Sequence, residues 1–187
     1  EDKGWGCGYR NLQVLCSACL SIPSVKVALF DGSGHVPSLA GLQSWLQRAW
    51  GKGVDRSGAD EFNGRVVGTN KWIGATEVAT VLRQFGLCVH VLDFDRDRAP
   101  TKDHAALLLW MWRHFAPPAA NQELPSSTGQ AASSGGSSVQ EARRLPVYLQ
   151  WQGHSVTVLG VERTTASRDV SLLVMDPRDR AATQTMT

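Results

Sequence analysis

The chain has 187 residues, 42% of them apolar, and a formal net charge of +2. This is the length of one domain with enough apolar material for a core. The small charge comes from scattered basic residues, which gives no nucleic-acid-binding face. No apolar run nears the ~20 residues that cross a bilayer. The chain opens without Met or a charged-then-apolar leader, so it is expected to be a piece of something longer.

The first informative stretch is Gly4-Trp5-Gly6-Cys7-Gly8-Tyr9-Arg10. A helix is predicted to follow at once, over about 7–20, because Leu12, Leu15, Cys16, Cys19 and Leu20 share one face. A cysteine between glycines at a helix N-terminus suits a thiol nucleophile. Glycines let a substrate backbone come close, and the helix end favours the thiolate. Cys16 and Cys19 fall on the apolar face and read as core thiols. Zinc needs four ligands, and no second pair completes Cys16-x-x-Cys19. Four cysteines in a chain this long are no disulfide framework, and a reducing intracellular compartment fits best.

Pro23 and Gly32-Ser33-Gly34 are read as ending this first helical region. A second helix is predicted from Ser38, an N-cap, with Leu39, Leu42, Leu46, Ala49 and Trp50 on one face and Gly51-Lys52-Gly53 closing it. Residues 55–69 read as a polar loop. Trp72-Ile73-Gly74 leads into a third helix striped by Val78, Val81, Leu82 and Phe85 and stopped at Gly86. Residues 87–94 are rich in β-formers and are predicted to be a buried strand. A fourth helix follows Asp103 and carries Leu107, Leu108, Met111 and Phe115.

Residues 117–140 are Ser-, Gly-, Ala- and Gln-rich and are read as a flexible surface insertion inside one domain spanning 1–187. Strands are predicted at 146–152, 155–161 and 170–175, the last stopping at Asp176-Pro177. Helices followed by an antiparallel sheet make an α+β fold. A lead-helix cysteine packed on a histidine-bearing sheet is, by analogy, the papain-like arrangement.

A thiol nucleophile needs a base, and the base needs an orienting group. His35 sits in a Gly/Ser loop, His90 in the predicted strand, and His104 and His114 on the flank of the fourth helix. His154 follows Gly153 at a strand edge, among polar groups within an apolar strand pair. It is the candidate base, with a hairpin-capping histidine as the plainer alternative. Asp176 could orient an imidazole, although Asp-Pro alone reads as a turn. Gln150 and Gln152 are both candidate oxyanion donors, and pattern does not choose between them. Trp5 and Trp72 are candidate walls of a narrow groove, or core aromatics.

Together, Gly4-Trp5-Gly6-Cys7-Gly8-Tyr9-Arg10-Asn11, Trp72-Ile73-Gly74-Ala75-Thr76-Glu77, Gly153-His154-Ser155 and Asp176-Pro177 resemble the ubiquitin-fold-modifier-specific (C78-type) peptidase family of cysteine proteases. Tyr148-Leu149-Gln150-Trp151-Gln152-Gly153-His154-Ser155-Val156-Thr157-Val158, Leu42-Gln43-Ser44-Trp45 and Val91-Leu92-Asp93-Phe94 resemble its zinc-finger-containing deubiquitinase branch. The resemblance implies a papain-like fold and isopeptide hydrolysis after the C-terminal Gly-Gly of ubiquitin. By motif, Cys7 is the nucleophile, His154 the base, Asp176 the orienting acid and Gln150 the oxyanion donor. Ubiquitin or polyubiquitin would be the partner, with no cofactor, metal, nucleic acid or membrane, in a monomer of the cytoplasm and nucleus. The family's peptidases for the ubiquitin-fold modifier carry histidine after Asp-Pro, where this chain has Arg178. That departure counts against the modifier as substrate. Peptidase action on the modifier, or an inactive module that binds ubiquitin-like proteins, are the alternatives.

Overall fold

The computed structural model describes residues 2, 4–98, 103–116, 139–141, 144–163, 169–179 and 184–186. The elements run α1 (Cys7–Cys19), α2 (Pro23–Phe30), α3 (Leu39–Gly51), α4 (Arg56–Glu61), α5 (Ala75–Arg83), α6 (Ala105–Phe115), β1 (Val147–Trp151), β2 (His154–Arg163), β3 (Val170–Met175) and β4 (Gln184–Met186). The sheet order is β1-β2-β3-β4. The architecture is α+β.

By chain packing the molecule divides into two compact units. The first comprises Glu1–Leu92, Leu145–Leu159 and Val174–Gln184. The second comprises Asp93–Arg144, Gly160–Leu173 and Thr185–Thr187. The expected insertion at 117–140 lies outside the described residues, apart from its last two.

The core of the first unit is built from helix faces. The α1 stripe of Leu12, Leu15, Cys16 and Cys19 is buried, as are Leu42, Leu46 and Trp50 of α3 and Val78, Val81 and Leu82 of α5. Burial pushes the Cys16 thiol up to about 12, so it behaves as a small apolar group. Tyr9, fully buried on α1, and Tyr148 of β1 are likewise pushed up to about 12, first by desolvation.

These raised values fix an alkaline limit. Each group holds its proton more tightly folded than unfolded. Its stabilisation is complete below the unfolded value, near 9.0 for the thiol and 10.0 for the phenols, and is lost as pH rises toward about 12. Chemical denaturation is therefore expected to show stability falling steadily above pH 9, with a shallower fall in Tyr148→Phe. A flat profile from pH 9 to 12 would contradict this assignment.

Three local readings are corrected by the structure. Pro23 does not merely end helical structure; it occupies the first turn of α2, where its missing N–H costs nothing. The expected polar loop at 55–69 contains α4, whose N-cap Asp55 accepts from Gly58 N at 3.0 Å, and also the fully buried Val66. The glutamines of α3 hold the rest of that loop. Gln47 Oε1 accepts from Val66 N, while Gln43 accepts from Gly68 N and donates to Thr69 O. Residues 87–94 form no strand. They run as an exposed or half-buried segment with its Val89 carbonyl taken by the Arg83 guanidinium at 2.7 Å. β-Propensity without a neighbouring strand to pair with does not make a sheet.

The C-terminal strands fall close to expectation. β1 and β2 form a hairpin in which Trp151 faces His154 and Tyr148 faces Thr157, closed by Gln152-Gly153 with Gly153 at φ 82°. β3 matches its predicted bounds. β4 was not foreseen. In the second unit, Met111 and Phe115 of α6 and Val170 and Leu172 of β3 are buried, and Trp110 stacks on His114.

Candidate active site

All four candidate residues lie in the first unit. Cys7 is the first residue of α1 and is half-buried. Its N-cap, Gly6, offers no side chain to the first turn. The N–H groups there remain open to an anion. Gly8 packs against the Ile73 backbone. A Cβ added to Gly8 would lie 2.4 Å from Ile73 O, so no larger residue fits beside the cysteine. The segment 72–74 is thereby held against the start of α1.

Gln150 is anchored from the other side of that segment. Its Oε1 accepts from Ala75 N at 2.7 Å, and its amide lies so close to Gly74 that a Cβ there would overlap it. Gly74 has no side chain to cap α5, so Gln150 does that work, while Glu77 Oε2 accepts from Gly74 N at 2.7 Å. An N–H must be met by oxygen, which sets the orientation of the Gln150 amide. Its Nε2 is left as the donor end. Gln152 lies in the exposed hairpin turn instead.

His154 opens β2 and is 7% exposed. Its Nε2 pairs with Asp176 Oδ1 at 2.8 Å. Nδ1 is therefore the nitrogen left for a thiol or leaving group. Trp151 lies edge-on against the His154 ring, with centroids 5.3 Å apart. Asp176 follows β3, and burial alone would raise its carboxyl. Hydrogen bonds from the Arg178 side chain, the Arg178 backbone and His154 outweigh that and hold it below its usual range. Among the described residues, the Cys7 thiol forms no hydrogen bond to His154 or to any other group. It lies close enough that a charge on its sulfur would act on Tyr148 of β1 and on Arg178. The structure thus joins His154 to Asp176 directly and sets Cys7 within electrostatic range of the strand and turn that flank them.

One residue that links these parts was not given a role from sequence. Asn11 lies one turn after Cys7 and is fully buried. Its Nδ2 donates to Ser155 O at 2.8 Å and Ser155 Oγ at 3.0 Å, and its Oδ1 accepts from Thr157 Oγ1 at 2.8 Å. It clamps α1 to β2 one residue from His154. A polar residue on the Leu12/Leu15 side of an apolar helix was the available signal. Asn11→Ala leaves buried groups of Ser155 and Thr157 unpaired and is expected to lower stability by about 2–4 kcal/mol, read by denaturant unfolding. A change below about 0.5 kcal/mol would contradict the clamp.

His35, His90 and His104 are exposed, and His114 is taken up by aromatic stacking. Trp72 is 47% exposed beside Gly74, while Trp5 packs edge-on to Tyr9, its ring centroid 5.7 Å away.

The chain matches the model of peptidase family C78 over residues 1–187. It is 38% identical to zinc finger-containing ubiquitin peptidase 1 of Macaca fascicularis over 176 residues, 94% of this chain and 28% of that protein. It is 33% identical to ubiquitin carboxyl-terminal hydrolase mug105 of Schizosaccharomyces pombe over 177 residues, 94% of this chain and 61% of that protein. Ufm1-specific protease 2 of Gallus gallus is 33% identical over 93 residues, 49% of this chain and 16% of that protein. The chain therefore spans little more than a quarter of the first relative.

Proposed function

The chain belongs to peptidase family C78, a family of cysteine peptidases, and from that premise we propose that it hydrolyses isopeptide bonds after the C-terminal Gly-Gly of ubiquitin, including those of polyubiquitin. The observation that carries this reading is the buried His154–Asp176 pair at 2.8 Å, set beside the Cys7 helix through Asn11. The fold assigned is papain-like, with the nucleophile opening the lead helix.

In this mechanism the Cys7 thiolate attacks the carbonyl carbon of the terminal glycine. A C–S bond forms and the carbonyl oxygen takes up the electron pair. Gln150 Nε2 and the N–H groups opening α1 are the donors to that oxygen. Imidazolium at His154 gives its Nδ1 proton to the departing lysine amine as the C–N bond breaks. His154, neutral again, removes a proton from water, which attacks the thioester and releases Cys7. Asp176 keeps Nε2 protonated throughout. In the resting protein the thiol makes no bond to the imidazole, and such contacts commonly tighten only when substrate seats.

Ubiquitin is favoured over Ufm1 because relatives covering 94% of the chain are named as ubiquitin peptidases, while the Ufm1-specific relative covers 49%. Arg178, at the position after Pro177, points the same way. The domain is assigned to the cytoplasm and nucleus as a monomer. The test is release of a fluorogenic amine from the C-terminus of ubiquitin and, in parallel, of Ufm1. Faster turnover of the ubiquitin substrate is expected. Turnover of Ufm1 alone would replace the substrate, and reversible binding of either without turnover would reduce the domain to a recognition module.

A further inference from the structure

Arg178 is bound to Asp176 at two points. Its backbone N donates to Asp176 Oδ1 at 2.9 Å. Its guanidinium Nη2 donates to Oδ2 at 2.9 Å, with Nε 3.3 Å from the same oxygen. Pro177 fixes the intervening φ, and the chain turns back on itself with Asp179 N donating to Asp176 O at 3.1 Å. The carboxylate is 10% exposed and the guanidinium 65% exposed. The carboxylate that faces His154 is therefore already paired with a cation on its outer side.

We propose that Arg178 is a positioning residue that acts through Asp176: its guanidinium offsets the charge His154 would otherwise feel from Asp176. The proposal rests on the roles given above to Cys7, His154 and Asp176. The charged and titratable groups around it are Asp176 and Asp179 on its own turn, His154 on β2, Cys7 on α1, and Tyr148 on β1, the last also acted on by Glu77 of α5. The hydrogen bond to Asp176 does most to hold the Arg178 guanidinium above its ordinary value. Slight burial opposes it, and the charges of Asp176, Asp179 and Cys7 add to it.

The sign of the effect separates this role from a structural one. Arg178→Ala deletes the charge but keeps the residue-178 backbone N–H and the His154 bond that hold Asp176. Imidazolium then forms more readily against an unshared carboxylate. The imidazole limb of a pH profile should move to higher pH. Simple loosening of Asp176 would instead free His154 from its carboxylate and move the imidazole limb to lower pH.

The experiment follows the His154 ring signals by NMR against pH. In Arg178→Ala the profile should rise by about half to one pH unit, and Arg178→Lys should restore it. A profile that stays put, or one that falls, would overturn the proposal. The readout needs no substrate, so failure to cleave ubiquitin leaves this test standing.

Discussion

Cys7→Ser is expected to abolish hydrolysis of a ubiquitin C-terminal substrate, lowering kcat/KM by at least about 10⁴-fold. Serine keeps the shape but loses the nucleophile. At the pH where the imidazole can act, a hydroxyl is far from ionised, and nothing else in the described site supplies a thiol: Cys16 and Cys19 are buried in the α1 core and Cys88 lies on the separate 87–94 segment. The cost to the fold should be small. Cys7 is half-buried and its thiol hydrogen-bonds to nothing among the described residues, so stability should stay within about 0.5 kcal/mol. Ubiquitin affinity should persist, measured by titration calorimetry. Residual turnover above one part in a thousand would move the nucleophile elsewhere.

Asp176→Asn should slow the reaction by about 10²–10³-fold, equivalent to about 2.7–4.1 kcal/mol of lost transition-state stabilisation. The full loss of about 10⁴ seen where an amide forces the wrong histidine tautomer is not expected here. Asp176 Oδ1 accepts from both His154 Nε2 and Arg178 N, whereas Oδ2 accepts from the guanidinium. The amide oxygen of asparagine belongs at the doubly used position, which preserves the tautomer. Its NH₂ then meets the guanidinium donors and displaces Arg178. What disappears is the negative charge that supports imidazolium. The same variant tests stability against pH. The Asp176 carboxyl is held below its ordinary value of 3.8, so its stabilisation is complete above that pH and lost as pH falls through the lowered value. Asp176→Asn should flatten that acid dependence, read by denaturation between pH 2 and 5.

Much of this site could be read from the residues because its parts sit at strong local signals. A glycine-flanked cysteine opens an apolar-striped helix, and α1 begins at Cys7. Ser38 caps α3 through Gly41 N, and α6 and the β1–β2 hairpin follow from periodicity and the Gly153 turn. His154 and Asp176 are 22 residues apart, and either alone reads as turn chemistry. Pattern did not choose between Gln150 and Gln152. The resemblance alone assigned Gln150, whose Oε1 the structure places on Ala75 N.

The losses have a common cause. Pro23 punctuates in either direction, and only the tertiary setting shows that it begins α2. Asp55 looks like a loop residue until its carboxylate is seen on Gly58 N. Residues 87–94 carry strand propensity, but a strand is defined by its neighbour, and local sequence does not specify one. Asn11 reaches β2 across a long sequence gap and Arg178 meets Asp176 through its charge, so these contacts emerge only with coordinates.

The most direct test of the central claim is the reaction of the chain with ubiquitin carrying a C-terminal electrophile, followed by intact mass and peptide mapping, beside His154→Ala. One ubiquitin added at Cys7, with labelling slowed by at least about 10²-fold in His154→Ala, is the predicted result. An adduct mapped to Cys88, or labelling at Cys7 that ignores the loss of His154, would contradict it.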